Sequence, residues 1–598
     1  MEEETDFLNE GISELLPANT SKFGSNPKYL SEWLNGLPLT NLGITTQTVF
    51  NAIKEINQLD IKPEHRLELL EQLYETTEFI LTGLRKHYYK KQLPLVEKTR
   101  DIAQLAITLL KTIAQGYKVI IYQHIILGKK LGKKQLAIAI QRAIHFFSCC
   151  TVEGYIIYNN DKPGIWLQIH QLHQLASEKN LQLLEIPEPG NEKKPVKTNI
   201  TSSYKRILLI AAMDPYRLNI GEVLEIFDEI KQWTQKCGLA GNISPEYKSN
   251  SFIVRPDMDA PPIIYNSKMA KQSESFFILV TKELTQSLES ELKKLVRKGL
   301  FRKKENSSIN RKITSRILGA FGVIPKRAHK RTRIDKQVNT IIGLTSIHKI
   351  ISDEIAPDSN DNNNRATFAV RDLHGSRTRS RARDVWDSAL TGKEKKATFD
   401  GRHSLTISMD DSTPQIPVKT KVVTAETWKL RDISSGGYCI LSDEKSAAKS
   451  QVGDLIAIRE INSHDSPWQA GVIRWLKQHS RKTIAFGVQV LFPSGTPVIT
   501  KIKDKDGIYL NGEKSILLPA VKSSNLGSTI ITPTLNYRVG SEVKIINGHK
   551  IACVVLTKLN MSTGNFCQFE YVATSKEENL PIGKNSEEMD FDKVWNSI

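Results

Sequence analysis

The chain has 598 residues, 25% of them charged and 39% hydrophobic, with a formal net charge of +18. That length exceeds what one core fills, so about three units are expected. The positive excess calls for an anionic partner or surface without choosing among nucleic acid, anionic lipid and a phosphorylated small molecule. No apolar run reaches the roughly 18–20 residues a membrane-spanning helix needs. The start Met1-Glu2-Glu3-Glu4 is acidic where a secretory leader is basic, so a cytoplasmic location is expected. Cys149, Cys150, Cys237, Cys439, Cys553 and Cys567 form no C-x-x-C pair, which favours reduced core thiols over a metal site.

In chain order, residues 1–27 read as a flexible N-terminus and residues 28–300 as helix almost throughout. Within 67–87, Leu67, Leu70, Tyr74, Leu81 and Leu84 mark one side of a helix, with Pro63 just ahead of it. Further amphipathic stretches at 101–123, 131–148, 165–180, 202–214 and 219–236 predict a helical bundle or array. Residues 301–336 form a basic lead-in, and the β-branched run 337–350 predicts a strand. Residues 352–424 are polar, with an Asn/Asp run and a Ser/Arg run, and predict a disordered insertion. Short strands at 427–431, 437–441, 455–460, 468–476 and 483–491 predict a small barrel over 337–500. A second small β-unit is expected over 501–575, with strands at 508–510, 515–518, 529–531, 542–546 and 553–557. A polar tail follows at 576–598. The expected class is α+β multidomain: an N-terminal all-α helical bundle or array, a small β-barrel and a second β-unit.

Two motifs carry chemistry. Arg431-Asp432-Ile433-Ser434-Ser435-Gly436-Gly437 contains D-x-S-x-x-G, a turn with acceptors at its rim and a glycine that admits close approach. Alone it is what ordinary hairpins also use. Arg327-Ala328-His329-Lys330-Arg331 is an R-x-x-x-R whose two planar forks suit phosphate oxygens and the Hoogsteen edge of guanine. Alone, beside Lys326 and Arg333, it is a solvated basic run.

Together the motifs resemble the PilZ family of cyclic di-GMP receptors, whose signature is R-x-x-x-R ahead of the first strand and D/N-x-S-x-x-G after the second. Gly453-Asp454, the run from Gly471 to Trp475 and the run from Phe486 to Val490 are also similar to the family. The resemblance spans about residues 322–500 and implies a PilZ-like barrel. It implies cyclic di-GMP as ligand, held by Arg327, Arg331, Asp432, Ser434 and Gly437, with Arg333 and Arg431 as additional candidates. The motifs stand about 100 residues apart, and removing 352–424 restores the family's spacing at small closure cost. Arg377/Arg381 and Arg379/Arg383 also fit R-x-x-x-R, but a poor strand follows them.

No P-loop, dinucleotide fingerprint, H-E-x-x-H or nucleophile elbow is present, and the GGDEF and EAL sequences that make or degrade cyclic di-GMP are missing. The chain is therefore expected to be a receptor, not an enzyme. It needs no cofactor beyond its ligand and passes the signal to an unidentified protein partner through the helical region. The alternative is a scaffold or nucleic-acid-binding protein with a degenerate barrel that binds no nucleotide. Nucleic acid is the less favoured partner, because the basic residues lack the interleaved aromatics of a single-strand platform.

Overall fold

The computed structural model describes residues 6–21, 23, 27–159, 163–188, 196–241, 251–265, 275–298, 311–321, 331–355, 424–434, 436–443, 446, 449–461, 467–480, 482–492, 495–504, 506–519, 527–548 and 550–574. Among the described residues the chain divides into two compact units, the first running through Phe321 except for Gln92–Pro94, the second holding Gln92–Pro94 and the residues from Arg331 onward.

The first unit is built on α1 (Pro27–Asn35), α2 (Leu42–Gln58), α3 (Pro63–Tyr88), α4 (Glu97–Ile125), α5 (Lys133–Ile156), α6 (Ile165–Glu178), α7 (Ile200–Ala212) and α8 (Glu222–Trp233) around one continuous core. In α3, Pro63 occupies the first turn, where its missing N–H costs nothing. Leu67, Leu70, Leu73, Ile80, Leu81 and Leu84 are buried at helical spacing. Buried Arg66 donates to the carbonyls of Ile56 and Leu59 and to Gln123, satisfying the end of α2.

Several expectations for this unit are corrected. In the segment read as a flexible N-terminus, the described residues from Asp6 are tied down, because Phe7 and Leu8 are buried in the core. Strand β1 (Leu16–Pro17) pairs in parallel with β2 (Leu59–Asp60). Buried Lys118 donates to the Glu10 carbonyl at 2.8 Å. The region read as all-α also holds sheet. After the two-stranded pair β3 (Ile186–Pro187) and β4 (Lys197–Thr198), β5 (Gly238–Ala240), β6 (Ser251–Val254), β7 (Ile263–Ile264) and β8 (Phe277–Val280) form a sheet of order β5-β8-β6-β7. Strands of two to four residues are too short to show a period against helical surroundings. Helix α9 (Lys282–Lys298) follows. The stretch expected as a basic lead-in contains α10 (Arg311–Phe321), anchored by buried Ile317 and Phe321.

The second unit holds two closed, antiparallel six-stranded barrels. The first comprises β9 (Thr332–Ile342), β10 (Glu426–Ser434), β11 (Gly437–Leu441), β12 (Leu455–Glu460), β13 (Gln469–Gln478) and β14 (Ile484–Phe492), in order β10-β11-β14-β13-β12-β9. Trp428 and Phe486 stack in its core at 4.6 Å between ring centroids. The strand expected over 337–350 is shifted: β9 starts at Thr332 and stops at Ile342. Gly343 then takes a positive φ of 94° and opens helix α11 (Leu344–Ile355). The expected insertion at 352–424 thus starts inside a helix, and residues 356–423 lie outside the described residues.

The second barrel comprises β15 (Thr496–Ile502), β16 (Glu513–Leu518), β17 (Thr529–Thr532), β18 (Glu542–Asn547), β19 (Lys550–Ser562) and β20 (Cys567–Ala573), in order β15-β16-β17-β20-β19-β18. It therefore begins ahead of residue 501. The strand expected at 508–510 is only a bridge between Lys503 and Tyr509. The polar tail lies outside the described residues. A shared apolar seam joins the barrels: Ile347 of α11 and Leu455, Trp468 and Val472 of the first pack with Ile516, Leu518, Ile531 and Phe566 of the second. His348 Nε2 lies 3.1 Å from the Val498 carbonyl.

At the rim of this seam Asp454 accepts hydrogen bonds from the Gln451 amide (2.8 Å) and Asn565 Nδ2 (2.7 Å). Burial outweighs them and raises its pKa from 3.8 to about 6. A raised folded pKa gives stability that is fully present below 3.8 and lost as pH rises through about 6. Urea unfolding followed across that window will show a falling midpoint in the wild-type chain, and Asp454→Asn will flatten this component.

Candidate functional site

The D-x-S-x-x-G motif closes the hairpin between β10 and β11. Its register pairs Asp432 with Cys439, Ile433 with Tyr438 and Ser434 with Gly437, after a bulge between Leu430 and Asp432. The bulge falls at Arg431 and re-aims the residues that follow, a common use of bulges beside functional sites. Ser434 Oγ donates to the Gly437 carbonyl at 3.2 Å, tightening the turn. Gly437 is there for space: a Cβ built on it would sit 2.2 Å from the Val488 carbonyl oxygen of β14. The neighbouring strand approaches too closely for any side chain. Gly487, on the same strand, is covered by the Trp475 ring, which leaves it equally little room.

On the other side of β10 lies β9, with Asp432 opposite Arg333 and Ile433 opposite Thr332. Arg331 directly precedes the strand, and its Nη1 stands 3.5 Å from Asp432 Oδ1. That is an ion pair longer than the 2.7–2.9 Å of a charge-assisted hydrogen bond. Asp432 Oδ1 is buried and has no hydrogen-bond partner among the described residues. The Arg331 side chain is 42% exposed and that of Asp432 15%. Burial, with Asp432 close by, pushes the Cys439 thiol beneath this pair up to about 11, so it stays neutral.

The fold therefore brings Arg331, Asp432, Ser434 and Gly437 to one rim of the first barrel. The additional candidates Arg333 and Arg431 flank Asp432 and are exposed. Arg327 lies outside the described residues, as do Arg377, Arg379, Arg381 and Arg383. The rim presents guanidinium forks for phosphate and purine edges next to a carboxylate that can accept an amino or imino N–H.

Sequence reasoning passed over two residues here. Gln489 of β14 pairs with Gly437, and its Oε1 accepts from Arg474 Nε at 2.7 Å. Arg474 sits in a register shift of β13 between Ile473 and Trp475, and its Nη2 reaches Met561 Sδ of the second barrel at 3.7 Å. Both stand in runs similar to the PilZ family. Their link to the rim depends on that shift, which leaves no mark in the sequence.

Three family models match the chain consecutively: the N-terminal domain of cyclic-di-GMP receptor FimW at residues 28–245, its middle PilZ domain at 251–497, and its C-terminal β-barrel domain at 500–574. The chain belongs to the PilZ-domain cyclic di-GMP receptor family. The cyclic-di-GMP receptor FimW of Pseudomonas aeruginosa is 24% identical over 620 residues, covering all of both chains. No solved structure matches. The match to the middle model takes in α9, α10, the lead-in and the whole first barrel.

If close strand approach sets the shape of the PilZ rim, Gly437→Ala will cost about 1–3 kcal/mol in urea unfolding. An ordinary solvent-facing turn glycine would cost only about 0.5–1 kcal/mol.

Proposed function

We propose that this chain is a cyclic di-GMP receptor whose ligand seats on the rim of the first barrel. Arg331 and Arg327 grip its phosphates and guanine edges, and Asp432, Ser434 and Gly437 line the barrel side. The observation that carries this reading is the Arg331–Asp432 pair at 3.5 Å, which joins two motifs about 100 residues apart in sequence. The pair is loose and one carboxylate oxygen is unspent, so a ligand can enter without breaking a well-made salt bridge. A guanine N–H meets the carboxylate while the freed fork turns to phosphate. Arg333 and Arg431 add positive charge around the entrance and favour an anionic ligand.

Among the described residues no helix is long and apolar enough to cross a membrane. The first unit, a compact body with its own core, is the natural carrier of the signal to a protein partner.

Calorimetric titration of cyclic di-GMP into the full chain tests the reading. Saturable binding is expected in the wild type, weakened about tenfold or more by Arg331→Ala or Asp432→Asn. The double variant Arg377→Ala/Arg381→Ala should bind as the wild type does. Unchanged affinity in Arg331→Ala, or no binding by the wild-type chain, would overturn it.

A further inference from the structure

The first unit contains a cavity of about 290 Å³ with no part in the proposal above. Its walls come from α3, α5, the β3–β4 pair, the start of α7 and α8. Its polar groups are unevenly spent. Every carboxylate bordering or backing it is already engaged by a cation: Glu185 by Lys197 at 2.8 Å, Glu188 by Lys231, Asp228 by Arg206 at 3.4 Å, and Glu78 by His145 at 3.9 Å. The acceptors are used.

The donors are not. Arg206 Cζ lies over the Phe227 ring, 3.8 Å from its centroid, and that contact holds the guanidinium against the ring. Its Nε donates to the Phe227 carbonyl at 2.9 Å and its Nη2 faces Asp228, but its Nη1 has no partner among the described residues. His145 places Nε2 against the Tyr74 hydroxyl at 2.9 Å and near Cys149 and Glu78, while its Nδ1 has no partner among the described residues. The Ser202 hydroxyl, in the first turn of α7, has none either. Burial opposes a charge on His145, but Cys149 and Glu78 outweigh it and raise its pKa to about 9. That direction favours the imidazolium form, in which Nδ1 carries a proton.

We propose that this cavity is a second ligand site, separate from the barrel rim, for a small molecule carrying a phosphate group. A guanidinium nitrogen, an imidazole N–H and a hydroxyl around one space can serve three oxygens, more than a carboxylate offers. The N-terminal turn of the 13-residue α7 adds its dipole to the same charge preference. The volume lies at the small end for small-molecule sites, which points to a phosphomonoester of modest size. The site would give the helical unit a chemical input of its own.

The test is calorimetric titration of inorganic phosphate into the full chain in a chloride buffer, with circular dichroism to check folding of each variant. Saturable binding is expected, weakened about tenfold or more by Arg206→Met, which keeps the stem on Phe227 but removes the fork. Ser202→Ala, an exchange at a helix N-terminus with little risk to folding, should weaken it several-fold, about threefold or more. Arg331→Ala should leave it unchanged. No saturable phosphate binding would overturn the proposal. So would full affinity in Ser202→Ala and Arg206→Met, or a loss confined to Arg331→Ala, which would assign the phosphate to the barrel rim. If Arg206→Met fails to fold, Ser202→Ala decides.

Discussion

The rim of the first barrel depends on how closely β11 and β14 run at Gly437. A Cβ there would lie 2.2 Å from the Val488 carbonyl oxygen, so the backbone itself is the surface at this point. A side chain would push the strands apart, and the hairpin carrying Asp432 and Ser434 would move with them. Because the barrel is closed, such a shift passes to both neighbours of each strand. Close packing of this kind resists gradual deformation and holds polar groups in place. Asp432 is kept within reach of Arg331 by strand pairing, and not by the strength of their own contact, which at 3.5 Å is long.

The second barrel stands close behind this arrangement. Helix α11 continues directly from β9, the strand that Arg331 leads into, and its Ile347 sits in the apolar seam between the barrels. From the other side, Met561 meets Arg474, and Arg474 holds Gln489, the strand partner of Gly437. The two barrels thus share a core and a hydrogen-bond path that ends at the rim. That gives a physical reason for a barrel with no motif of its own to accompany the PilZ domain.

Local features were legible in the sequence and non-local ones were not. D-x-S-x-x-G could be read because turn chemistry sits within a few consecutive residues, and the long helices because their buried stripes repeat over many turns. Which arginine pair belongs to the rim could not be decided by spacing alone. The first half of β9 is largely exposed and lacks an apolar face, so a strand starting at Thr332 looked like more of the basic lead-in. Helix α11 looked like strand because its isoleucines carry the same β-branched signal, and only Gly343 marks the change. The small sheet of β5 to β8 was hidden by strands of two to four residues. The role of Arg474 depends on a register shift that appears only once the strands are paired.

The central claim is that the ligand contacts β9 and the β10–β11 hairpin together. The most direct measurement is photo-crosslinking of a labelled cyclic di-GMP analogue to the full chain, with labelled peptides located by mass spectrometry. The account predicts label in two peptides, one containing Arg331 and Arg333 and the other spanning Asp432 to Cys439. Label confined to the Arg377–Arg383 segment or to the helical unit would contradict it.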